Sequence, residues 1–311
     1  MWQSLLPLPP YLLLFRMTQP IAPAPPVSLE PKSIPQLKQI AAQVRRDIVR
    51  MVHAVSSGHP GGSLGCTDLL VALYFKMMKH NPEFSMDGIG EDLFFLSNGH
   101  ISATLYSVLA RSGYFPVSEL NTFRKIDSRL QGHPTTAEHL PGVRIASGSL
   151  GQGLSVAIGA AQAKKLNNDD RTVYVLMGDG ELEEGQIWEA SLYAPHHKVD
   201  NLIAIVDRNG QQIDGPTEKI GGLGDLRAKF EAFGWQVIEA DGNQFETLLP
   251  ALEQAKSLLG NGKPVMFLMD TQMGFGVDYM MGTHKWHGTA PNDEQLEKAL
   301  QQLLVEEASD Y

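Results

Sequence analysis

Short apolar segments alternate with helical segments along most of this 311-residue chain. The predicted strands are Leu93–Leu96, Val173–Met177, Leu202–Val206, Gln236–Glu239 and Val265–Met269. The predicted helices between them are Ala103–Arg111, Leu154–Leu166, Gln186–Tyr193, Leu226–Phe233 and Phe245–Leu259. Apolar strands separated by helices are typical of a parallel sheet, because only a helical crossover returns the chain to the same end of the sheet. The sequence therefore predicts an α/β fold with a doubly wound, mostly parallel sheet and helices on both faces.

Two further helices and an N-terminal arm flank this region. Apolar residues recur at helical spacing from Ile34 to Ser57, and a terminal amphipathic helix is expected around Asp293–Leu304. Residues 1–33 contain an apolar run that lacks signal-peptide flanks and is too short to span a bilayer, followed by a proline-rich stretch. We expect a disordered or extended arm over residues 1–33 and one α/β domain over residues 34–311.

Charge and cysteine content restrict the class of protein. The formal net charge is -10, without the clustered lysines and arginines that phosphate neutralisation requires, so we expect no nucleic-acid binding. A single cysteine, Cys66, excludes an intrachain disulfide and a cysteine-based zinc site, which suits a reducing compartment. We therefore expect a cytoplasmic protein that binds neither nucleic acid nor membrane.

Polar and glycine-rich segments follow the predicted strands. They are Ser97-Asn98-Gly99-His100, Gly178-Asp179-Gly180, Asp207-Arg208-Asn209-Gly210 and Gly274-Phe275-Gly276. In parallel sheets, ligands bind outside the carboxyl ends of the strands. The sequence therefore predicts the functional site at this edge.

Two oxygen-bearing side chains in these segments suggest a metal site. Asp179 emerges at a strand end between glycines, which let the backbone approach a ligand, and Asn209 follows the next strand. A carboxylate, an amide oxygen and a loop carbonyl suit Mg2+ completed by water and phosphate oxygens. The alternative is that Asp179 caps a helix starting near Glu181 and Asn209 turns a loop.

The Gly178-Asp179-Gly180 segment followed by the Asn209 loop is similar to the thiamine diphosphate motif of the transketolase and 2-oxoacid dehydrogenase superfamily. Further segments resemble transketolases specifically, and the match runs from His53 to Gly288. These segments are Ser57-Gly58-His59-Pro60-Gly61-Gly62, Ser97-Asn98-Gly99-His100, Gly132-His133-Pro134, Gly148-Ser149-Leu150-Gly151-Gln152-Gly153 and Gly282-Thr283-His284. The resemblance implies thiamine diphosphate and Mg2+ as cofactors.

The resemblance also implies individual cofactor contacts. The metal ligands would be Asp179, Asn209 and the backbone carbonyl of Gln211. The residues implied at the diphosphate are His100, His284 and the amide of Gly180, and those implied along the rest of the cofactor are Gly148, Leu150, Gly151 and Ile213. Leu150 and Ile213 would pack on the cofactor rings, although plain core packing is the alternative for both.

Four histidines beside glycines, His59, His100, His133 and His284, are predicted to share one rim, where imidazoles could exchange protons near neutral pH. The resemblance implies that His133 contacts a substrate hydroxyl and that His59 and His284 transfer protons. His287 follows closely but receives no role. Glu184 resembles an acidic residue that couples paired sites at the subunit contact, with an exposed first-turn acid as the alternative.

In the family, a glutamate that activates the cofactor belongs to a second, pyrimidine-binding domain. The resemblance therefore implies the N-terminal subunit of a split transketolase of the pentose phosphate pathway type, which would be active only with a C-terminal subunit that carries this domain. Two copies of each chain are expected, with sugar phosphates as substrates and transfer of a two-carbon ketol unit as the reaction. The alternatives are the α subunit of a 2-oxoacid dehydrogenase, a deoxyxylulose phosphate synthase and a non-catalytic thiamine diphosphate-binding subunit.

Overall fold

The computed structural model describes residues 32–311, so nearly all of the predicted arm over residues 1–33 lies outside the described part of the chain. The strands are β1 (Leu93–Leu96), β2 (Val173–Gly178), β3 (Leu202–Arg208), β4 (Gln211–Gln212), β5 (Gly215–Pro216), β6 (Gln236–Asp241) and β7 (Val265–Asp270). The α-helices are α1 (Ile34–Ala54), α2 (Pro60–Gly65), α3 (Thr67–Ala72), α4 (Ser102–Arg111), α5 (Gly153–Leu166), α6 (Gly185–His196), α7 (Thr217–Ile220), α8 (Leu226–Phe233), α9 (Phe245–Ser257) and α10 (Asp293–Gln302). Each predicted strand and helix is present, with ends that differ by a few residues.

The main sheet has five parallel strands in the order β1-β2-β3-β7-β6. The chain moves outward from β1 to β3, skips one position to form β6 at the edge, and returns as β7 between β3 and β6. This arrangement confirms the predicted parallel α/β fold. The two-residue strands β4 and β5 form a separate antiparallel hairpin after β3, which the sequence pattern did not indicate.

Alternate strand residues belong to two separate hydrophobic cores, one on each face of the sheet. In β1, Phe94 and Leu96 pack in the core that includes α1, α3, α4 and α9, whereas Leu93 and Phe95 pack in the core formed with α5, α6 and α8. Successive side chains of a strand point to opposite faces, so a sheet that is covered on both sides requires apolar residues at consecutive positions. This explains the continuous apolar runs in the sequence.

Helix α1 is tied to the end of the chain by charged side chains. Arg46 donates to both carboxylate oxygens of Asp310, with distances of 3.0 Å from Nε to Oδ1 and 2.6 Å from Nη2 to Oδ2. Gln43 also donates to Asp310, at 3.0 Å. The hydrogen bond from Arg46 lowers the pKa of Asp310 to about 2. The segment after α10 is thereby fastened to α1.

Between residues 32 and 311, no helix combines the length and apolar character that a bilayer crossing would need.

Candidate functional site

A cavity of about 260 Å3 lies at the carboxyl edge of the parallel sheet. Its walls come from the segments after β1, β2, β3 and β7 and from the loop before α2. The lining residues are His59, Gly62, Asn98, His100, Ile101, Leu150, Gly178, Asp179, Gly180, Glu181, Asp207, Asn209, Gln211, Gln212, Ile213, Met273 and His287. The volume is slightly below the ~300–1,000 Å3 of pockets that enclose a whole small ligand. The cavity is therefore suited to holding part of a ligand.

The segment after β7 contributes less than the other strand ends. Met273 lines the cavity, but Phe275 lies under the guanidinium of Arg45, 4.9 Å from the ring centroid, and Gly276 packs beside Arg45 and Leu303. The Gly274-Phe275-Gly276 segment therefore serves mainly to turn the chain back toward α1.

The three predicted metal ligands lie along one wall of the cavity. Asp179 is 3% exposed, and its Oδ2 accepts a hydrogen bond of 2.7 Å from the backbone N–H of Gly210, beside Asn209. Asn209 Oδ1 accepts from the backbone N–H of Gln211 at 2.9 Å. Parallel pairing of β2 with β3 aligns Gly178 with Asp207, which brings the two loops together. The tertiary structure thus places Asp179 and the Asn209 loop in direct contact.

Asp179 also caps the short helical turn Gly180–Glu183, because its Oδ1 accepts from the Gly180 N–H at 2.8 Å. The capping alternative from the sequence is therefore realised alongside the position in the cavity wall. The Gly180 amide, for which the sequence predicts a diphosphate contact, is directed at Asp179 Oδ1 in this structure.

Two buried carboxylates concentrate negative charge at this wall. Burial, reinforced by the neighbouring Asp207, raises the pKa of Asp179 to about 7. Burial also raises the pKa of Asp207, although hydrogen bonds from Thr271, Asn209 and Cys66 oppose this effect. Neither carboxylate forms a salt bridge within residues 32–311. A divalent cation at this wall would supply the missing positive charge.

No group of three or more His, Cys, Asp or Glu side chains in the described chain is arranged to hold a metal ion. The oxygen set at Asp179, Asn209 and Gln211 contains a single carboxylate. Magnesium sites commonly combine one or two carboxylates with phosphate oxygens and water, so this donor set fits a Mg2+ ion that arrives with a phosphate-bearing ligand.

Histidines form the opposite side of the cavity. The ring centroid of His59 is 4.9 Å from that of His100, 6.4 Å from His133 and 5.6 Å from His287. Burial, together with the neighbouring imidazoles, lowers the pKa of His59 to about 3 and that of His100 to about 4. Burial also lowers the pKa values of His133 and His287. The cluster is therefore neutral at pH 7.

Three of the four histidines predicted to share a rim, His59, His100 and His133, are brought together, whereas His284 does not line the cavity and His287 does. The reason is the short helical turn His284–Trp286, in which residues three apart lie on the same side. His287 lies one layer further in and makes the contact with His59. Sequence analysis gave His287 no role, and the roles of His284 stay predictions.

The glycine-rich loop borders the histidines and the Gly-Asp-Gly segment. Leu150 lines the cavity, and Gly148 lies against the ring of His133, so that a Cβ atom there would be 3.4 Å from its Cγ. Gly151 has a φ of 85°, and its N–H donates to Glu181 at 2.8 Å. Glu184 is exposed at the start of α6, against the outer side of Gly151 rather than inside the cavity.

Polar atoms and apolar surfaces converge in the cavity. Four buried atoms at its walls have no hydrogen-bond partner among residues 32–311: His59 Nδ1, Asn98 Oδ1, His133 Nε2 and His287 Nδ1. Leu150 and Ile213 provide apolar surface, and Ile213 is 58% exposed at the rim. Unpartnered buried polar atoms are costly and are common at functional sites. This mixture fits an elongated ligand with polar and aromatic parts.

Two functional candidates escaped the sequence analysis. Arg124 is half-buried, forms no salt bridge within the described residues, and donates to Ser57 Oγ at 3.1 Å. Its charge contributes to the lowered pKa values of His133, His59 and His100. Glu181 lies 2% exposed at the cavity floor. Neither residue belongs to a strand end or a glycine–histidine pair, so no local signal marked them.

Comparison with known proteins agrees with this geometry. The family described as transketolase, thiamine diphosphate binding domain, matches residues 37–310. One of the two subunits of the apulose-4-phosphate transketolase of Phocaeicola vulgatus is 39% identical over 259 residues, covering 83% of this chain and 90% of that protein. The 6-deoxy-6-sulfo-D-fructose transketolase subunit SqwG of Clostridium sp. (strain MSTE9) is 38% identical over 275 residues, covering 88% and 98%.

The solved structure of transketolase from Leishmania mexicana matches with a TM-score of 0.80 and 33% identity, covering 88% of this chain and 41% of that chain. The sheet and its cavity thus define an α/β protein of the thiamine diphosphate-binding fold. The chain belongs to the transketolase family, as an N-terminal subunit with the thiamine diphosphate-binding domain. The family predicted from the sequence motifs is confirmed. The chain spans about two fifths of that full-length transketolase but nearly the whole of the two similar subunits.

Proposed function

We propose that this chain is the N-terminal subunit of a split transketolase that transfers a two-carbon ketol unit from a ketose phosphate to an aldose phosphate. The observation that carries the proposal is the cavity in which His59, His100 and His133 face the wall of Asp179 and Asn209. Relatives of matching length are named as transketolase subunits, which supports a division of the enzyme between two chains.

The described residues fit thiamine diphosphate and Mg2+. Asp179, Asn209 and the Gln211 carbonyl would hold the metal, and His100 and the Gly180 segment would face the diphosphate. The apolar side chains of Leu150 and Ile213 would contact the rings, with Gly148 and Gly151 giving the loop its close approach. When bound, thiamine diphosphate would supply the carbanion chemistry that breaks and forms a carbon–carbon bond beside a carbonyl.

The histidines would handle substrate protons and hydroxyl groups. A neutral imidazole can donate through one ring nitrogen and accept through the other, and His59 Nδ1 and His133 Nε2 have no partner among the described residues. We assign His59 to proton exchange with a substrate oxygen and His133 to a hydroxyl of the two-carbon unit. His284 keeps its proposed proton-transfer role, with His287 as the residue that contacts His59 directly.

The proposed enzyme requires a C-terminal subunit that carries the pyrimidine-binding domain. The apolar side chain of Ile213 is more than half exposed at the cavity rim, where a partner or cofactor would cover it. Glu184 is exposed at the start of α6 and is available for the proposed contact between paired sites. We propose two copies of each subunit in the cytoplasm, because closed two-fold assemblies are common among soluble oligomers.

The test is reconstitution with the C-terminal subunit encoded beside this chain. The two separate chains and their mixture would be assayed with xylulose 5-phosphate and ribose 5-phosphate, thiamine diphosphate and Mg2+. We expect ketol transfer only from the mixture. Because the two similar subunits are named for apulose 4-phosphate and 6-deoxy-6-sulfofructose, both sugars belong in the donor panel. Full activity of this chain without its partner, or turnover of pyruvate instead of sugars, would refute the proposal.

A matched pair of variants adds a control. His59→Gln should abolish most of the activity, whereas His196→Gln, an exposed histidine at the end of α6, should leave it unchanged.

A further inference from the structure

Glu181 is a buried carboxylate at the point where three loops meet below the cavity. It is 2% exposed and forms no salt bridge within the described part of the chain. Its Oε1 accepts hydrogen bonds from Ser97 Oγ and from the Gly151 N–H, the latter at 2.8 Å. Its Oε2 accepts from the Gly178 N–H at 3.1 Å. Hydrogen bonds therefore replace the water that this carboxylate loses on burial.

Ser97 extends this contact to the start of α5. Its Oγ accepts from the Gly153 N–H at 3.0 Å, and a Cβ atom at Gly153 would lie only 2.4 Å from Ser97 Oγ. Glu181 and Ser97 together thus hold the backbone of Gly151, Gly153 and Gly178. The glycine-rich loop is joined to the ends of β1 and β2 through side chains rather than through strand pairing.

The held segments carry the two walls of the cavity. Leu150 immediately precedes Gly151, and Asp179 immediately follows Gly178. A shift of the glycine-rich loop would move Leu150 relative to Asp179, and therefore relative to the Asn209 loop bonded to it. The separation between the apolar wall and the oxygen-bearing wall depends on the hydrogen bonds of Glu181.

We propose that Glu181 is a positioning residue that sets the glycine-rich loop at the distance from Asp179 that thiamine diphosphate with Mg2+ requires. The proposal rests on the proposed function, because it assigns this cofactor to the cavity. Glu181 acts through Gly151, Gly178 and Ser97 and does not take part in the chemistry itself.

The informative substitution is Glu181→Gln, which keeps the size of the side chain. Both carboxylate oxygens accept hydrogen bonds, so an amide must turn its NH2 group toward one of the donors. We expect cofactor affinity to fall by ~10–100-fold, the range typical of residues that support metal ligands. Ser97→Ala should give a smaller loss, and the double variant should lose less than the product of the two single effects because both act on the same loop.

The experiment uses the assembled enzyme and measures thiamine diphosphate binding by calorimetry at saturating Mg2+. Unfolding midpoints measured without cofactor report whether each variant is folded. Steady-state kinetics at saturating cofactor should show an unchanged Michaelis constant for the sugar donor. The matched control is Glu189→Gln, an exposed glutamate in α6, which should bind the cofactor as the wild type does.

Wild-type affinity in a folded Glu181→Gln variant would overturn the positioning role and leave the proposed function intact. If Glu181→Gln does not fold, Ser97→Ala decides, since cofactor affinity equal to the wild type in that variant would equally overturn the role. Absence of thiamine diphosphate binding in the wild-type assembly would overturn the proposed function, and this proposal with it.

Discussion

Replacing Asp179 with asparagine should make the chain more stable at high pH and unable to bind Mg2+. Asp179 is 3% exposed beside the buried Asp207, and burial raises its pKa to about 7 from an ordinary value of 3.8. A folded-state pKa above the ordinary value means that the contribution to stability is full below about pH 4 and is lost as the pH rises through about 7.

The expected magnitude follows from these pKa values. Each pKa unit corresponds to about 1.4 kcal/mol, so between about pH 5 and pH 8 the wild type should lose roughly 3 kcal/mol through Asp179. Asparagine carries no charge and has no such dependence. One of the two backbone donors at Asp179, Gly180 or Gly210, would face an NH2 group, which costs about 1–3 kcal/mol at any pH. The stability of the variant relative to the wild type should therefore rise by roughly 3 kcal/mol over this interval.

The assay is urea unfolding of the full chain at about pH 5 and pH 8, with EDTA and without cofactor. A parallel experiment on the assembled enzyme adds Mg2+ and thiamine diphosphate, which should stabilise the wild type by ~3 kcal/mol at 100 times the dissociation constant and leave the variant unchanged. A stability difference that does not vary with pH would refute the argument from burial. Wild-type cofactor stabilisation in the variant would refute the metal assignment.

Three further predictions concern other parts of the chain. Arg124→Gln removes a positive charge beside the histidine cluster, so the pKa of His133 should rise toward its ordinary value; histidine NMR titration checks this, with His80, whose pKa Arg124 does not perturb, as the internal control. Asp310→Asn should destabilise the chain by about 1 kcal/mol or less at neutral pH. Because the pKa of Asp310 is lowered to about 2, its contribution is present above about pH 4 and is lost as the pH falls, so the difference from the wild type in thermal midpoint should shrink toward about pH 3; a constant difference would contradict this. His59→Gln in the assembled enzyme should reduce turnover by ~10²–10⁴-fold with little change in cofactor affinity, and unchanged turnover would show that His59 is structural.

Much of the fold could be predicted from the sequence because its determinants are local. Apolar runs such as Val173–Met177 and Leu202–Val206 require burial on both faces, and that requirement leads directly to parallel strands covered by helices. The ends of those strands mark the functional edge of the sheet, which is why Asp179, Asn209 and the glycine–histidine segments could be recognised as one site.

The contents of the cavity depended on contacts between distant segments. Glu181 is an ordinary acidic residue in the sequence, and only the folded chain brings it to Ser97 and Gly151. Arg124 likewise reaches the histidines across a loop.

The sequence by itself determined that the chain forms a parallel α/β sheet, and it marked the strand ends that carry the predicted ligands. Only the tertiary structure decided that His287 rather than His284 faces His59, and that a buried glutamate joins the cavity walls. The physical reason is that strand burial follows from the order of neighbouring residues. The environment of a charged or polar side chain is instead set by groups that lie far away along the chain and become neighbours only on folding.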